Sequence, residues 1–384
     1  MNRKPLGLYI HIPFCVRKCL YCDFVSGKGT PEEMSRYVRA VLTEIEGYAP
    51  LADRYQVDSV FFGGGTPSIL RPVQLDMIMT QLSSLFSFAP DAEISLEANP
   101  GTLTDEKLKA YRRMGVNRLS LGLQSALDRE LIMLGRIHYF RDFQESYRLA
   151  REAGFADINV DLMYALPRQT LADWAYSLEQ TAALEPEHIS AYSLIIEEGT
   201  PFYDTYGTRK GQLLLPGEET ERQMAAYARE FLGEKGYEHY EISNYARKGY
   251  RCRHNMKYWT LQEYLGFGQN AASYLEEKRF ENPREAEAYR ELAAGAYTRF
   301  REMPPRSLRE KKEEFMFLGL RTADGVSRET YRRTFGEDFP DSFETAIRRF
   351  TEQGFMRAEG DRLTLTEEGI PVSNMLLAEF LLEE

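Results

Sequence analysis

Strand-like and helix-like segments alternate six times in the first half of the chain, and this alternation constrains the fold more than any other feature. The strand-like segments are short, and helical patterns separate them. They read "LGLYIHI", "VDSVFFG", "EISLEA", "RLSLGLQ", "DINVDLMYA" and "HISAYSLII". Six such units in a row predict an α/β fold in which parallel strands form a sheet that helices cover.

Side-chain alternation within four of these strands adds a second constraint, because neighbouring residues of a strand point to opposite faces. One face of each strand is aliphatic, and the other is polar or small. The second face comprises Tyr9, His11, Ser95, Glu97, Asn99, Ser120, Gly122, Gln124, Asn159, Asp161 and Met163. A closed eight-stranded barrel fills its interior with branched apolar side chains instead. We therefore expect a partial (β/α)6 TIM-like barrel whose open lumen holds a polar ligand; the alternative is a sheet with one solvated face.

The first predicted helix carries a clear start signal. Thr30 and Glu33 have the spacing of a capping box, and Pro31 suits the first helical position. An apolar stripe follows on one face, formed by Met34, Val38, Val41, Leu42 and Ile45. This pattern predicts a helix that packs on the sheet.

Changes in pattern divide the chain into three regions. Residues 1–235 are expected to form the barrel, 236–303 a connecting region, and 304–384 a C-terminal domain. Within the first region, the Gly- and Pro-containing residues 197–216 predict a long loop, and a helix is expected near 217–235.

The C-terminal region has the pattern of a winged-helix-like α+β domain. The segment "MPPRS" at 303–307 predicts a linker, and helical patterns follow near 308–322, 327–335 and 341–354. A hairpin pattern with Gly360 in its turn completes the predicted domain.

The charge of the chain argues against nucleic-acid binding. The net charge is −11, and from residue 301 onward 13 basic residues face 18 acidic ones, so a winged helix here is not expected to bind DNA. No apolar run approaches membrane-spanning length, and the N-terminal stretch lacks the features of a signal peptide. We therefore expect a cytoplasmic protein, in which the few thiols stay reduced.

Three of the four cysteines, Cys15, Cys19 and Cys22, lie in the stretch "FCVRKCLYCDF", while Cys252 stands alone. The spacing C-x3-C-x2-C allows three thiolates to wrap one face of an iron–sulfur cube, because soft sulfur ligands suit iron. A disulfide would leave an odd thiol, and a structural zinc site needs a fourth ligand. The sequence therefore favours an iron–sulfur cluster, with zinc and a disulfide as weaker alternatives.

The segment "YIHIPFCVRKCLYCDF" resembles the cluster loop of the radical S-adenosylmethionine superfamily. The resemblance implies that the three cysteines ligate a [4Fe–4S] cluster and that the open fourth iron binds the methionine end of S-adenosylmethionine. The stretch "FFGGGTPSIL" follows the second strand, and glycines permit close backbone approach to a ligand. Its Gly64, Gly65 and Thr66 match the superfamily segment that contacts the methionine amino group.

From residue 6 onward the chain resembles the anaerobic coproporphyrinogen-III oxidase family. This resemblance implies that Tyr9 lies beside the cluster and the methionine moiety, and that further side chains complete the S-adenosylmethionine site. Those side chains are Glu97, Gln124, Arg136 and Asp161. All of these except Arg136 fall on the polar strand faces found from the alternation alone. For Arg136 the alternative is a solvated helix charge.

Two departures from the oxidase pattern point to a sister branch of haem chaperones. The oxidase branch has a fourth cysteine two residues after the third, where Phe24 stands here, and it has a long segment before the cluster loop, for which the position of Cys15 is expected to leave no room. In addition, "CRHNMKYW" resembles the H-N-x-x-Y-W signature of the chaperone branch.

The chaperone resemblance implies haem as cargo and haemoproteins, including those of the respiratory chain, as clients; it leaves a homodimer and peripheral membrane contact open. His254 is the candidate axial ligand, with Cys252 as a second choice, because haem iron accepts imidazole or thiolate. The alternative for His254 is a packing histidine beside Tyr258 and Trp259. The alternative function is enzymatic: oxidative decarboxylation of coproporphyrinogen-III by a 5′-deoxyadenosyl radical. A radical methyltransferase or another porphyrin modification is a weaker option.

Overall fold

The structure is a computed structural model that describes residues 3–382. Six parallel strands form the centre of its main sheet: β1 (Lys4–Ile12), β2 (Tyr55–Gly64), β3 (Ser87–Ala98), β4 (Arg118–Gln124), β5 (Ile158–Tyr164) and β6 (His188–Ser193). The helices between them are α1 (Pro31–Gly47), α2 (Pro72–Leu85), α3 (Asp105–Arg113), α4 (Asp128–Met133), α5 (Phe140–Glu152) and α6 (Leu171–Ala182). This arrangement confirms the predicted partial (β/α)6 barrel.

The first helix begins as the sequence predicts. Thr30 Oγ1 accepts a hydrogen bond from the Glu33 backbone N–H at 3.2 Å, and Glu33 Oε2 accepts from the Thr30 N–H at 2.7 Å. This reciprocal pair satisfies two of the backbone donors that a helix start leaves free. Val38, Val41 and Ile45 are buried against the sheet.

Strand alternation separates the hydrophobic core from the lumen. Leu8, Ile10 and Ile12 of β1 are fully buried and belong to the core between sheet and helices. The alternate residues Glu97 and Asp161 of β3 and β5 line cavities inside the barrel. The predicted polar lumen is therefore present.

The region predicted to be a connector continues the same sheet. Its strands are β7 (Glu238–Glu241), β8 (Asn244–Ala246), β9 (Tyr264–Phe267), β10 (Ala272–Leu275) and β11 (Lys278–Glu281), and the full strand order is β11-β10-β9-β1-β2-β3-β4-β5-β6-β8-β7. β8 pairs antiparallel with β6, while β9 pairs parallel with β1. The predicted domain boundary at residue 235 therefore falls inside one continuous sheet.

Residues 197–216, predicted to be a long loop, contain two short helices, so that prediction was wrong. They are α7 (Pro201–Tyr206) and α8 (Arg209–Gln212). Each starts at a threonine cap: Thr200 Oγ1 accepts from the Tyr203 N–H at 3.2 Å, and Thr208 Oγ1 accepts from the Gly211 N–H at 3.1 Å. The caps stabilise helices too short to show an apolar period. Helices α9 (Glu218–Glu234), α10 (Arg253–Trp259), α11 (Ala286–Ala293) and α12 (Ala296–Glu302) follow along the chain.

The C-terminal domain has its own hydrophobic core and matches the predicted α+β pattern. Its elements are α13 (Leu308–Gly319), β12 (Val326–Ser327), α14 (Arg328–Phe335), α15 (Asp341–Glu352), β13 (Met356–Glu359), β14 (Arg362–Leu365) and α16 (Ser373–Ala378). The three strands form an antiparallel sheet, and Gly360 turns the hairpin with a φ of +57° that favours glycine.

No helix within residues 3–382 combines the length and the apolar character that a bilayer crossing requires.

Candidate functional site

The cysteine-bearing loop follows β1 at the carboxyl end of the parallel strands. Backbone bonds hold its shape: the Cys15 N–H donates to Gly27 O at 2.8 Å, and the Leu20 N–H donates to Leu134 O at 3.1 Å. Cys15, Cys19 and Cys22 are half-buried free thiols. All three line one cavity of about 390 Å³.

This cavity, called the cysteine cavity below, brings together most of the predicted site. Its size lies within the range of about 300–1,000 Å³ that is usual for small-molecule sites. Besides the three cysteines, the predicted residues on its wall are Gly64, Gly65, Thr66, Glu97, Gln124, Arg136 and Asp161. Phe24, which is 58% exposed, also lines this cavity.

The three thiols suit an iron–sulfur cube better than a single ion. No three Cys, His, Asp or Glu side chains within residues 3–382 converge to hold one metal ion. In a cube each thiolate binds a different iron, so the sulfurs remain apart. Arg136 Nη1 donates to Cys19 Sγ at 3.4 Å and so helps to position that sulfur. Cys15, Cys19 and Cys22 could therefore hold such a cluster, which would supply electron-transfer chemistry when bound.

The glycine stretch brings backbone close to the cysteine loop. Gly64 has a φ of +107°, a conformation that side chains rarely adopt. At Gly65 a Cβ would lie 2.7 Å from Phe14 O and 3.0 Å from Cys15 Sγ, so any larger residue would displace the cysteine loop. Gly64 is thus required by its backbone conformation and Gly65 by this close approach.

A hydrogen-bond chain joins two of the cysteines across the cavity, and it runs through Asn99, which the sequence analysis did not assign to the site. Arg136 Nη2 donates to Asn99 Oδ1 at 2.6 Å, and Asn99 Nδ2 donates to Thr66 Oγ1 at 2.7 Å. Thr66 Oγ1 lies 3.5 Å from Cys15 Sγ. Arg136 is thus part of the cavity wall rather than a solvated helix charge. The signal for Asn99 was its place on the polar face of the predicted strand, directly after the residue at which β3 ends.

Two carboxylates define the electrostatics of the lumen. Burial and then the nearby Asp161 charge raise the pKa of Glu97 to about 8, and Glu97 Oε2 accepts from the Gly64 N–H at 3.1 Å. Burial also raises the pKa of Asp161, although Asn159 donates to its Oδ1 at 2.7 Å and Ser120 to its Oδ2 at 3.1 Å. Such carboxyl groups can receive hydrogen bonds from the hydroxyl or amino groups of a ligand.

Tyr9 occupies a different position from the rest of the predicted set. It lines two neighbouring cavities rather than the cysteine cavity, and it shares both of them with Glu97 and Tyr258. Its hydroxyl lies 3.0 Å from His11 Nδ1. The structure therefore places Tyr9 on the walls of two cavities that adjoin the cysteine cavity.

His254, the predicted haem ligand, is fully buried and hydrogen-bonded at both ring nitrogens. Nδ1 lies 3.0 Å from Ser59 Oγ, and Nε2 lies 2.9 Å from Tyr258 Oη. Burial lowers its pKa to about 3, so the ring is neutral. Neither nitrogen is free in this conformation, which fits the alternative of a packing histidine. Cys252 is also fully buried, and its Sγ lies 3.5 Å from Glu93 Oε1.

Comparison with protein-family models finds two matches. Residues 9–180 match the Radical SAM superfamily, and residues 307–372 match the HemN C-terminal domain. The first segment covers the cysteine loop and strands β2 to β5, and the second lies in the C-terminal domain.

Curated proteins match along nearly the whole chain. The protein named Heme chaperone HemW from Bacillus subtilis (strain 168) is 35% identical over 97% of this chain and 98% of its own length. The protein of the same name from Lactococcus lactis subsp. lactis (strain IL1403) is 34% identical over 100% of this chain and 99% of its own length.

Among solved structures, coproporphyrinogen III oxidase (HemN) from Escherichia coli superposes with a TM-score of 0.82 and 23% identity, covering 99% of this chain and 90% of that one. At 23% identity, this structural similarity shows that the two proteins share a fold. The end-to-end identity with the curated relatives shows more: the chain belongs to the HemW family of radical S-adenosylmethionine proteins.

Proposed function

We propose that this protein is a haem chaperone that binds haem and delivers it to haemoproteins, and that it carries a [4Fe–4S] cluster and an S-adenosylmethionine site. The observation that carries the proposal is the match with proteins named haem chaperones, at 35% identity over 97% of the chain. Respiratory haemoproteins are the proposed clients and the cytoplasm the proposed compartment.

The proposed cofactor site is the cysteine cavity. Cys15, Cys19 and Cys22 would ligate the cluster, and the strand-end residues on the same wall would bind S-adenosylmethionine. The glycine backbone suits the methionine end, while the Glu97 and Asp161 carboxyl groups suit amino or hydroxyl groups. The geometry of the wall supports this assignment because every one of these groups faces one cavity.

Phe24 supports the chaperone over the oxidase. In the oxidase branch, which this chain resembles, a cysteine stands at that position. Here an exposed phenyl ring lies on the cavity wall instead and offers apolar surface rather than a sulfur ligand. A flat apolar macrocycle such as haem packs well against aromatic rings.

The test compares haem binding with turnover of coproporphyrinogen-III. After anaerobic reconstitution of the cluster, haem titration followed by visible absorption should saturate near one haem per chain. Incubation with coproporphyrinogen-III, S-adenosylmethionine and a reductant should yield no protoporphyrinogen-IX. Multiple turnovers of coproporphyrinogen-III without stoichiometric haem binding would instead assign the chain the oxidase activity.

A further inference from the structure

Two cavities adjoin the cysteine cavity, and both share Glu97 with it. The aromatic chamber, about 360 Å³, is lined by Tyr9, His11, Phe24, Tyr258, Tyr264 and Ala272. The polar chamber, about 260 Å³, is lined by Arg118, Ser120, Asn159, Ser190, Asn255 and Tyr258. Tyr9, Glu97 and Tyr258 line both chambers, so the two are neighbours within one lumen.

The aromatic chamber presents ring carbon rather than hydroxyl groups. The Tyr9 hydroxyl is engaged with His11, and the Tyr258 hydroxyl with His254. The Tyr264 hydroxyl accepts from Arg279 Nη1 at 3.1 Å. Their partners hold these rings in place, and the Tyr258 and Tyr264 rings meet edge to face with centroids 4.6 Å apart. Fixed aromatic walls of this kind suit a flat apolar ligand.

The aromatic chamber also reaches the surface. Ala272, on β10, and Phe24, on the cysteine loop, are both exposed and both line it. A ligand can therefore enter between the cysteine loop and the start of β10.

The polar chamber holds a buried cation that lacks a full set of partners. Arg118 is 2% exposed, and its Nε has no hydrogen-bond partner among residues 3–382. The Arg118 Nε atom forms an ion pair with Asp157 Oδ1 at 3.7 Å. Because this ion pair is too long for a hydrogen bond, guanidinium N–H groups remain available to an incoming carboxylate.

Asp157 Oδ1 has no hydrogen-bond partner among residues 3–382, but two other nearby acids, Glu93 and Asp161, are already supplied with donors. The carboxylate of Glu93 accepts from the Arg253 N–H at 2.8 Å and the His254 N–H at 3.1 Å. Asp161 accepts from Asn159 and Ser120, as described above. These acids have their own donors within the protein, whereas the guanidinium has donors left for a ligand.

We propose that the two chambers together form the haem site. The macrocycle lies in the aromatic chamber against Tyr9, Tyr258 and Tyr264, and a propionate reaches Arg118 in the polar chamber, where Asn255 is a second donor. This inference rests on the proposed function and specifies where in the barrel the haem binds. The H-N-x-x-Y-W motif then contributes Asn255 and Tyr258 to the site, while His254 positions Tyr258.

The first test blocks the entrance without touching the buried network. Ala272→Trp places an indole at an exposed chamber position and should weaken haem binding at least about tenfold in an anaerobic absorption titration. Its cluster absorption and S-adenosylmethionine affinity should stay at the wild-type level. Ala358→Trp is the matched control, since Ala358 is also an exposed strand alanine but lies in the C-terminal domain.

The second test removes the cation. Arg118→Gln should weaken haem binding by at least about tenfold through loss of the propionate partner. If the wild-type protein binds haem and both Ala272→Trp and Arg118→Gln bind it equally well, the chamber assignment is wrong while the chaperone proposal stands. If the wild-type protein binds no haem, the chaperone proposal itself fails.

Discussion

Cys22 and Cys252 show how strongly surroundings decide the chemistry of a thiol. Cys22 is half-buried on the wall of the cysteine cavity, whereas Cys252 is fully buried beside Glu93. Burial raises the pKa of the Cys252 thiol, so it stays protonated. A protonated, enclosed thiol is a poor metal ligand.

Burial raises the pKa of the Cys22 thiol too, so what separates the two cysteines is that only Cys22 faces a cavity that can admit a cluster. We therefore expect Cys22→Ser to lose the [4Fe–4S] absorption after anaerobic reconstitution, and Cys252→Ser to retain it. Iron and sulfide analysis of both variants provides the measurement. Retention of the full cluster in the first variant, or its loss only in the second, would refute the three-cysteine assignment.

Asp161 tests the S-adenosylmethionine site. Asp161→Asn keeps the shape of the side chain but removes the negative charge that can accept hydrogen bonds from ligand hydroxyl groups. The affinity for S-adenosylmethionine, measured by anaerobic calorimetry, should therefore fall about tenfold. Asp204→Asn is the control, because Asp204 is exposed on α7. Equal affinity in the wild type and both variants would argue against a nucleoside at this wall.

His254 distinguishes packing from ligation. Since Ser59 and Tyr258 both lose a buried partner, His254→Ala should lower the free energy of unfolding by about 1–3 kcal/mol in chemical denaturation. The shape of the haem absorption spectrum should not change. A lost axial-ligand signature with unaltered stability would instead support haem ligation by His254.

At the scale of elements, α1 is tied to the edge of the sheet through one buried carboxyl group. Glu44 is 1% exposed and accepts from the Gly268 N–H at 2.9 Å, Asn282 Nδ2 at 2.7 Å and the Tyr289 hydroxyl at 2.8 Å. These bonds join α1 to the turn after β9 and to α11. The late strands are thereby fastened to the first half of the chain.

Glu44 also predicts a dependence of stability on pH. Burial raises its pKa from 4.5 to about 7, so between these values the unfolded chain has lost the proton that the folded chain keeps. The free energy of unfolding should therefore fall with rising pH across this window, by at most about 1.4 kcal/mol per pH unit from this group, and level off above it. Denaturant titrations of wild type and Glu44→Gln should show a shallower decline in the variant; parallel curves would contradict the assignment.

At the scale of the whole molecule, the C-terminal domain is joined to the barrel by backbone bonds and a charge cluster. The Ile242 N–H donates to Arg321 O at 3.1 Å, and the Ala323 N–H donates to Tyr240 O at 2.9 Å. Glu314 of α13 pairs with Arg279 at 2.8 Å and also contacts Arg306. The Arg321 guanidinium lies 5.8 Å from the Trp259 ring, so the end of the H-N-x-x-Y-W motif touches the second domain.

Removing the carboxylate of this cluster should loosen the domain. Glu314→Ala removes the carboxylate partner of Arg279 and Arg306, which should lower the free energy of unfolding by about 1–3 kcal/mol. Hydrogen exchange should accelerate in α13 and across residues Arg321–Ala323. The control is Glu344→Ala, a substitution in α15 of the same domain, which should leave the backbone amides of Arg321–Ala323 protected. Unchanged exchange at these amides in Glu314→Ala would show that backbone pairing alone holds the domains together.

Local patterns were sufficient for much of the fold and part of the site. The spacing of Cys15, Cys19 and Cys22, the capping box of α1 and the polar positions of β3, β4 and β5 each depend on residues a few positions apart. Strand parity therefore predicted that Glu97 and Asp161 face one lumen. The C-terminal helices and hairpin were predictable for the same reason.

Tertiary structure decided the features that join distant segments. Only the pairing of β9 with β1 shows that residues 236–303 complete the sheet, and only packing places Tyr258 and Arg118 in adjoining chambers. The sequence motif around His254 suggested a haem ligand, but its surroundings are those of a packing residue. Ser59, almost two hundred positions away in the chain, is hydrogen-bonded to its Nδ1. The amino-acid sequence by itself determined which groups are present and which face they share; long-range packing determined which of those groups remain free to bind a ligand.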